Sequence, residues 1–221
     1  MVRRFLLGLF VAALASPDMA KARCSSLEPV PLPLQWQHLH HQQFEKLPHV
    51  TDVLLIGDSH AGHWPSDLWS PLQVLNSGVA GIRIDHVLWR LRDPRWRTLT
   101  PRNVVLIVGS NNLALGDCGF RIIEGLSALL SRMAGLWPNA RLFVVGILPL
   151  KFQGSLLHPS ERDIVNRILE RHVSRYGARY VGTDDLLKHL IADEIHFGVE
   201  AYRALSSTVR PLLAAGADQA N

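Results

Sequence analysis

The chain has 221 residues, 48% of them hydrophobic and 19% charged, with a formal net charge of +4. That length suffices for one α/β domain with a sizeable core. No Lys/Arg run and no basic stripe interleaved with aromatics appears, which argues against a nucleic-acid partner, and no apolar run reaches the roughly 20 residues that span a bilayer.

From the N-terminus, Arg3 and Arg4 precede an apolar stretch from Phe5 to Ala15, and Ala20-Lys21-Ala22 has the small-x-small form of a cleavage site. Residues 1–22 therefore read as a secretory signal peptide, with an uncleaved anchor as the alternative. Arg23, a bulky residue, precedes Cys24, so that cysteine does not resemble a lipid-attachment site. Removing the segment leaves about 199 residues and lowers the charge from +4 to about +2, through loss of Arg3, Arg4, Lys21 and Asp18. The only cysteines, Cys24 and Cys118, permit one disulfide in an exported protein or two free thiols.

Residues 23–47 form an N-terminal arm and helix. Pro29, Pro31 and Pro33 favour an extended entry, and Gln35–Leu47 carries Trp36, His40 and Phe44 on one helical face. Residues 48–221 then form the main domain. Asp52–Ile56 is an apolar strand buried on both faces, and Gln73–Asn76 a short second strand. Asp85–Leu91 is a helix, Val104–Val108 a third strand, and Phe120–Leu136 a helix with Ile123, Leu126, Leu130 and Met133 at helical spacing. Arg141–Gly146 is a fourth strand, Ser160–Tyr176 a helix stopped by Gly177, Tyr180–Val181 a fifth strand, and Gly198–Leu213 a last helix. Strands alternating with helices imply βαβ units: a five-stranded parallel sheet between two helical layers.

Four segments carry candidate chemistry: "GDSH" at 57–60, "NSGVAG" at 76–81, "GSNN" at 109–112 and "DEIH" at 193–196. The first three follow strands, and in a parallel sheet the carboxyl ends of neighbouring strands share one crevice. Acyl transfer to a hydroxyl needs a Ser, an imidazole to take its proton, a carboxylate to orient that imidazole, and donors for the oxyanion. Ser59, His196 and Asp193 supply the first three, and backbone N–H groups with the Asn111 amide can supply the fourth. Each segment alone is commonplace: Gly-Asp-Ser is usually a turn, "DxxH" before a helix usually a cap with a surface His. Their joint order at these strand ends is specific.

In these four blocks the chain resembles the SGNH, or GDSL-type, hydrolases, and "WQHLHHQQF", "PLQVLNSGVAGIRIDHVLWRL" and "VLIVGSNN" resemble the platelet-activating-factor acetylhydrolase-like branch. The resemblance runs from about Trp36 to Leu213. It implies a three-layer flavodoxin-like fold and a catalytic triad of Ser59 as nucleophile, His196 as base and Asp193 as its orienter. It further implies an oxyanion hole from the N–H groups of Ser59 and Gly81 and the Asn111 amide. Gly81 is preferred over Gly78 because the donor glycine of the family ends an N-x-x-x-x-G segment. Ile82 departs from the family, which often has Asp there, and His60 follows the nucleophile. No metal or organic cofactor is implied, and the resembling branch forms homodimers.

The expected activity is hydrolysis of small-acyl esters, O-acetyl above all, by an exported periplasmic or secreted esterase without stable membrane insertion. Acetylated cell-envelope or extracellular polysaccharide is the substrate suggested by location. The alternatives are an O-acyltransferase that moves the acyl group to a sugar hydroxyl and a non-catalytic carbohydrate-binding module on the same fold. His38, His40 and His41 lack Cys or acidic partners at ligand spacing, so packing of His40 with Trp36 and Phe44 is expected rather than a metal site. His60 and His63 are expected to line the cleft, Asp58 to fix its loop, and Asp184 and Asp185 to cap a turn. Trp64, Trp69 and Trp89 could stack on a sugar or lie buried.

Overall fold

The computed structural model describes residues 27–184, 186 and 195–214. Residues 1–22, read from the sequence as a signal peptide, and Cys24, Asp185 and Asp193 lie outside the described residues. Cys118 is disulfide-bonded.

The sheet is built from β1 (Val50–Gly57), β2 (Val74–Gly78), β3 (Thr100–Ile107), β4 (Arg141–Val145) and β7 (Ala178–Val181). The order is β2-β1-β3-β4-β7, and every neighbouring pair is parallel. This is the doubly wound flavodoxin-like order expected from the sequence. The chain leaves β1 for β2 on one side and reaches β3 on the other. The carboxyl end of β1 is therefore a topological switch point, where the flanking loops part and leave a crevice.

Side chains alternate across the strands and build two cores. Leu54 and Ile56 of β1, Val104 and Leu106 of β3, and Leu142 and Val144 of β4 point to one side. There they meet α3 (Ile84–Arg90), α5 (Gly119–Leu136) and α6 (Pro159–His172). Val53, Leu55, Val105, Ile107, Phe143 and Val145 point to the other side, against Ala201, Leu205 and Val209 of α7 (Val199–Ala214). Each fully buried aliphatic contributes about 1.5–3 kcal/mol. A one-residue slip would invert both faces, so the register is strongly specified.

Element by element, the structure extends and trims the sequence expectations. α1 (Leu34–Glu45) lies against the sheet edge, and His40 packs on Phe44 with ring centroids 5.0 Å apart, as expected. Its Nε2 also lies 3.4 Å from Asp93, and burial pushes its pKa down to about 4. β3 begins four residues early, because Thr100 donates its N–H to the His49 carbonyl and opens the ladder with β1. α6 ends at His172, and Val173–Tyr176 tighten into a 3-10 turn before Gly177 at φ 67°. A hairpin of β5 (Lys151–Phe152) and β6 (Ser155–Leu156) follows β4 where no strands were expected. Trp64 and Trp69 are buried core residues, and Trp89 is half-buried against the α3–α5 core. No helix among the described residues is long and apolar enough to cross a membrane.

Candidate active site

The site starts where β1 runs out. A Cβ on Gly57 would stand 1.8 Å from the Ile107 carbonyl oxygen of β3, so only glycine lets the two strand ends approach there. The Asp58 N–H donates to that same carbonyl at 3.1 Å. Asp58 then caps the short helix α2 (Ser59–Gly62), its Oδ1 accepting the His60 N–H at 2.9 Å. Asp58 thus fixes the loop as expected. It is fully buried, and burial raises its pKa to about 7 against the opposing backbone N–H groups.

Ser59 emerges from this turn 5% exposed. Its Oγ lies 3.1 Å from Nε2 of His196, which reaches over from the segment just before α7. Two residues 137 positions apart in the chain are thus within hydrogen-bonding reach. Asp193 lies outside the described residues. His63, which is exposed, stands beside the His196 ring with centroids 4.8 Å apart. His60 is buried, 5.8 Å from the His196 ring and 5.4 Å from Phe197. Of the two histidines expected along the cleft, His63 is on its surface and His60 forms its underside.

The second and third blocks adjoin this turn, through Gly78 against Gly62 and through the Gly109 N–H beside the Asp58 carboxyl. Gly78 is a packing glycine: its Cβ would meet the Gly62 nitrogen at 2.1 Å, so its bareness lets α2 sit on β2. Gly81 differs. It is exposed at φ 72°, with nothing within 4 Å of where a Cβ would be, so its backbone conformation rather than crowding selects glycine. Asn111, at the start of α4 (Ser110–Ala114), donates from Nδ2 to the Ile82 carbonyl at 2.8 Å. That uses one of its two amide hydrogens and leaves one for a ligand. The Ile82 side chain, where the family often carries Asp, is buried in the core beneath this loop.

Two residues that sequence reasoning passed over hold the loops in place. Asn112, fully buried, accepts the Ile84 N–H at 3.0 Å and donates to Asp117 at 2.8 Å, which locks the 76–84 loop to α4. Asn76 donates to the Ala61 carbonyl at 2.7 Å and accepts the Gly78 N–H at 2.9 Å, which joins β2 to α2. The signal for Asn112 was present, since the second Asn of "GSNN" could have been read as a partner of the glycine loop. Among the described residues, no group of His, Cys, Asp and Glu could hold a metal ion.

Fold and site together define an α/β ester hydrolase, a class that comparison with known proteins narrows. A model of the GDSL-like lipase/acylhydrolase family matches residues 55–204. The platelet-activating factor acetylhydrolase IB subunit alpha1 of Rattus norvegicus is 30% identical over 202 residues, covering 81% of this chain and 84% of that protein. A GDSL-like lipase structure from Bacteroides thetaiotaomicron superposes with a TM-score of 0.70 at 14% identity, covering 81% of this chain and 97% of that one. A carbohydrate acetylesterase family member from Sinorhizobium meliloti gives a TM-score of 0.57 at 16% identity, covering 76% and 98%. The chain belongs to the GDSL-like lipase/acylhydrolase family.

Proposed function

We propose that this ester hydrolase is an exported serine esterase for small acyl groups, acetyl above all, acting through Ser59, His196 and Asp193. The observation that carries the reading is the 3.1 Å separation of Ser59 Oγ and His196 Nε2. In this mechanism His196 takes the Ser59 proton as Oγ attacks the ester carbonyl carbon. The tetrahedral oxyanion receives hydrogen bonds from the Ser59 and Gly81 N–H groups and from the spare Asn111 amide hydrogen. Collapse expels the alcohol, which takes the proton from His196 and leaves an acyl-serine. Water repeats the sequence, with His196 removing its proton, and releases the carboxylic acid. Asp193, three residues before His196, accepts from the far ring nitrogen and holds the tautomer.

Preference for a small acyl group is supported by the acetylhydrolase named among the relatives. An O-acetylated polysaccharide as the natural substrate is supported by the signal-like residues 1–22 and by the carbohydrate acetylesterase among the structural neighbours. The test is hydrolysis of p-nitrophenyl acetate against longer acyl esters, with Ser59→Ala as control. Turnover fastest on acetate and lost in the variant is expected. Equal or faster turnover of long-chain esters would overturn the small-acyl reading, and activity surviving in Ser59→Ala would overturn the nucleophile.

A further inference from the structure

Arg90 ends α3 with its side chain turned into the protein, 1% exposed. Its Nη1 donates to the Ser77 carbonyl of β2 at 2.7 Å. Its Nη2 donates to Ser77 Oγ and, at 2.8 Å, to Gln43 Oε1 of α1. Ser77 Oγ in turn donates to Gln43 Oε1 at 3.0 Å, so one guanidinium clasps a strand to a helix. The backbone beneath it is pinned as well, since Trp96 Nε1 donates to the Arg90 carbonyl at 2.9 Å. Among the described residues no carboxylate pairs with this charge, and its Nε has no acceptor. Burial lowers the Arg90 pKa to about 10, which still leaves a cation at neutral pH. A buried cation served only by neutral acceptors is a costly occupant of a core position that an apolar side chain fills without desolvating a charge.

The place of the clasp in the fold gives it a task. β2 is an edge strand with only β1 beside it, so its outer side must be held by something other than a strand. Ser77 is level with Ile56, close to the end of β1, and its two neighbours support the serine helix. Asn76 Nδ2 donates to the Ala61 carbonyl at 2.7 Å, and Gly78 lies directly against Gly62. Beyond them the Val79 N–H donates to the Gly57 carbonyl at 3.1 Å, and the chain runs on to Gly81. A sideways shift of this strand end therefore moves α2 relative to His196, which arrives from a distant segment. We propose that Arg90 is a positioning residue for ester hydrolysis: clasped between Ser77 and Gln43, it fixes the outer edge of β2 and, through Asn76 and Gly78, the helix that carries Ser59. This role rests on the esterase reading above, since it assigns the clasp the task of keeping Ser59 Oγ within reach of His196 Nε2.

Arg90→Met fills similar space without the charge or the donors. It is expected to keep the wild-type midpoint in denaturant unfolding, yet to lower kcat for p-nitrophenyl acetate about tenfold, with KM within about twofold of wild type. A normal rate overturns the role. A rate that falls together with the midpoint makes Arg90 a stability residue and overturns it as well. Chemical rescue reads the same role independently. A cavity of about 530 Å³, lined in part by Leu39, Gln43, Leu75, Ser77 and Arg90, lies between α1 and β2, so Arg90→Ala would join the emptied side-chain volume to it. Millimolar methylguanidinium is expected to raise kcat of that variant severalfold and to leave wild type unchanged. Methylammonium at the same concentration, which has the charge but not the planar fork of donors, is expected to do nothing. Absence of rescue in a folded Arg90→Ala protein overturns the role, and should that variant fail to fold, Arg90→Met decides. A wild type inactive on every p-nitrophenyl ester sinks the esterase reading and this role with it, whereas an active wild type with a fully active Arg90→Met sinks the role alone.

Discussion

The loops after β1 and β4 leave the same edge of the sheet and are built in opposite ways. The first, Gly57–Gly62, is almost wholly bonded: Asp58 to Ile107 and His60, Val79 to the Gly57 carbonyl, Asn76 to Ala61. Gly57 and Gly78 permit backbone approaches that no side chain would fit. The second carries the β5–β6 hairpin, whose Ser155 and Leu156 are exposed and whose Gln153 turns with φ 50°. A reacting hydroxyl must be held to within a fraction of an ångström, which asks for over-determined backbone. A surface loop outside that constellation is free to vary, and tolerates strain that a glycine would avoid.

The contrast can be tested by how much each region loses. Ser59→Ala is expected to lower kcat by a factor on the order of 10⁴ or more, measured as p-nitrophenyl acetate hydrolysis with the folded state checked by circular dichroism. Asn111→Ala removes the spare amide hydrogen and the tie to Ile82, and should lower kcat on the order of 10²–10³. A near-normal rate would take Asn111 out of the oxyanion hole. Gly57→Ala would push a methyl into the Ile107 carbonyl, so β1 and β3 must part at their ends. Its expected loss is about 3 kcal/mol in denaturant unfolding, with activity falling alongside, because the serine turn hangs on that approach.

What could be read from sequence, and what could not, divides along similar lines. The apolar run before "GDS" and the alternation of strands and helices announced β1 and the parallel sheet from local pattern, whereas the pairing of Ser59 with His196 was read from the groups that acyl transfer needs and from the family resemblance. Asn112 escaped notice, since a side chain that braces a distant backbone N–H looks locally like a turn residue. The early start of β3 escaped for a related reason: Pro101 and Arg102 read as loop, and only pairing with His49 and Thr51 makes them strand. The β5–β6 hairpin has no alternating apolar pattern, so no periodicity marks it.

Asp58 offers a subtler probe, through pH. Its pKa is raised by burial from 3.8 to about 7, so the folded state prefers the neutral acid. The stability this confers is fully present below the unfolded value and is lost as pH rises through about 7. Asp58→Asn removes that linkage. The variant should therefore gain on wild type between pH 4 and 8, by at most a few kcal/mol, when unfolding curves are compared across that range. A difference that stays flat with pH would mean that Asp58 is ionised in the folded protein throughout.

The smallest effect is expected in the hairpin, and there the substitution runs in the reverse sense to Gly57→Ala. Gln153→Gly places the permissive residue where φ is 50°, relieving about 1 kcal/mol of left-handed strain. The unfolded chain gains freedom at the same time, which opposes folding by about 0.5–1 kcal/mol. The two nearly cancel, so stability should change by less than about 0.5 kcal/mol and p-nitrophenyl acetate turnover should be unaffected. A large loss of activity would mean that the β4 loop belongs to the catalytic constellation after all. The rigid requirement now assigned to the β1 loop would then extend to both sides of the crevice.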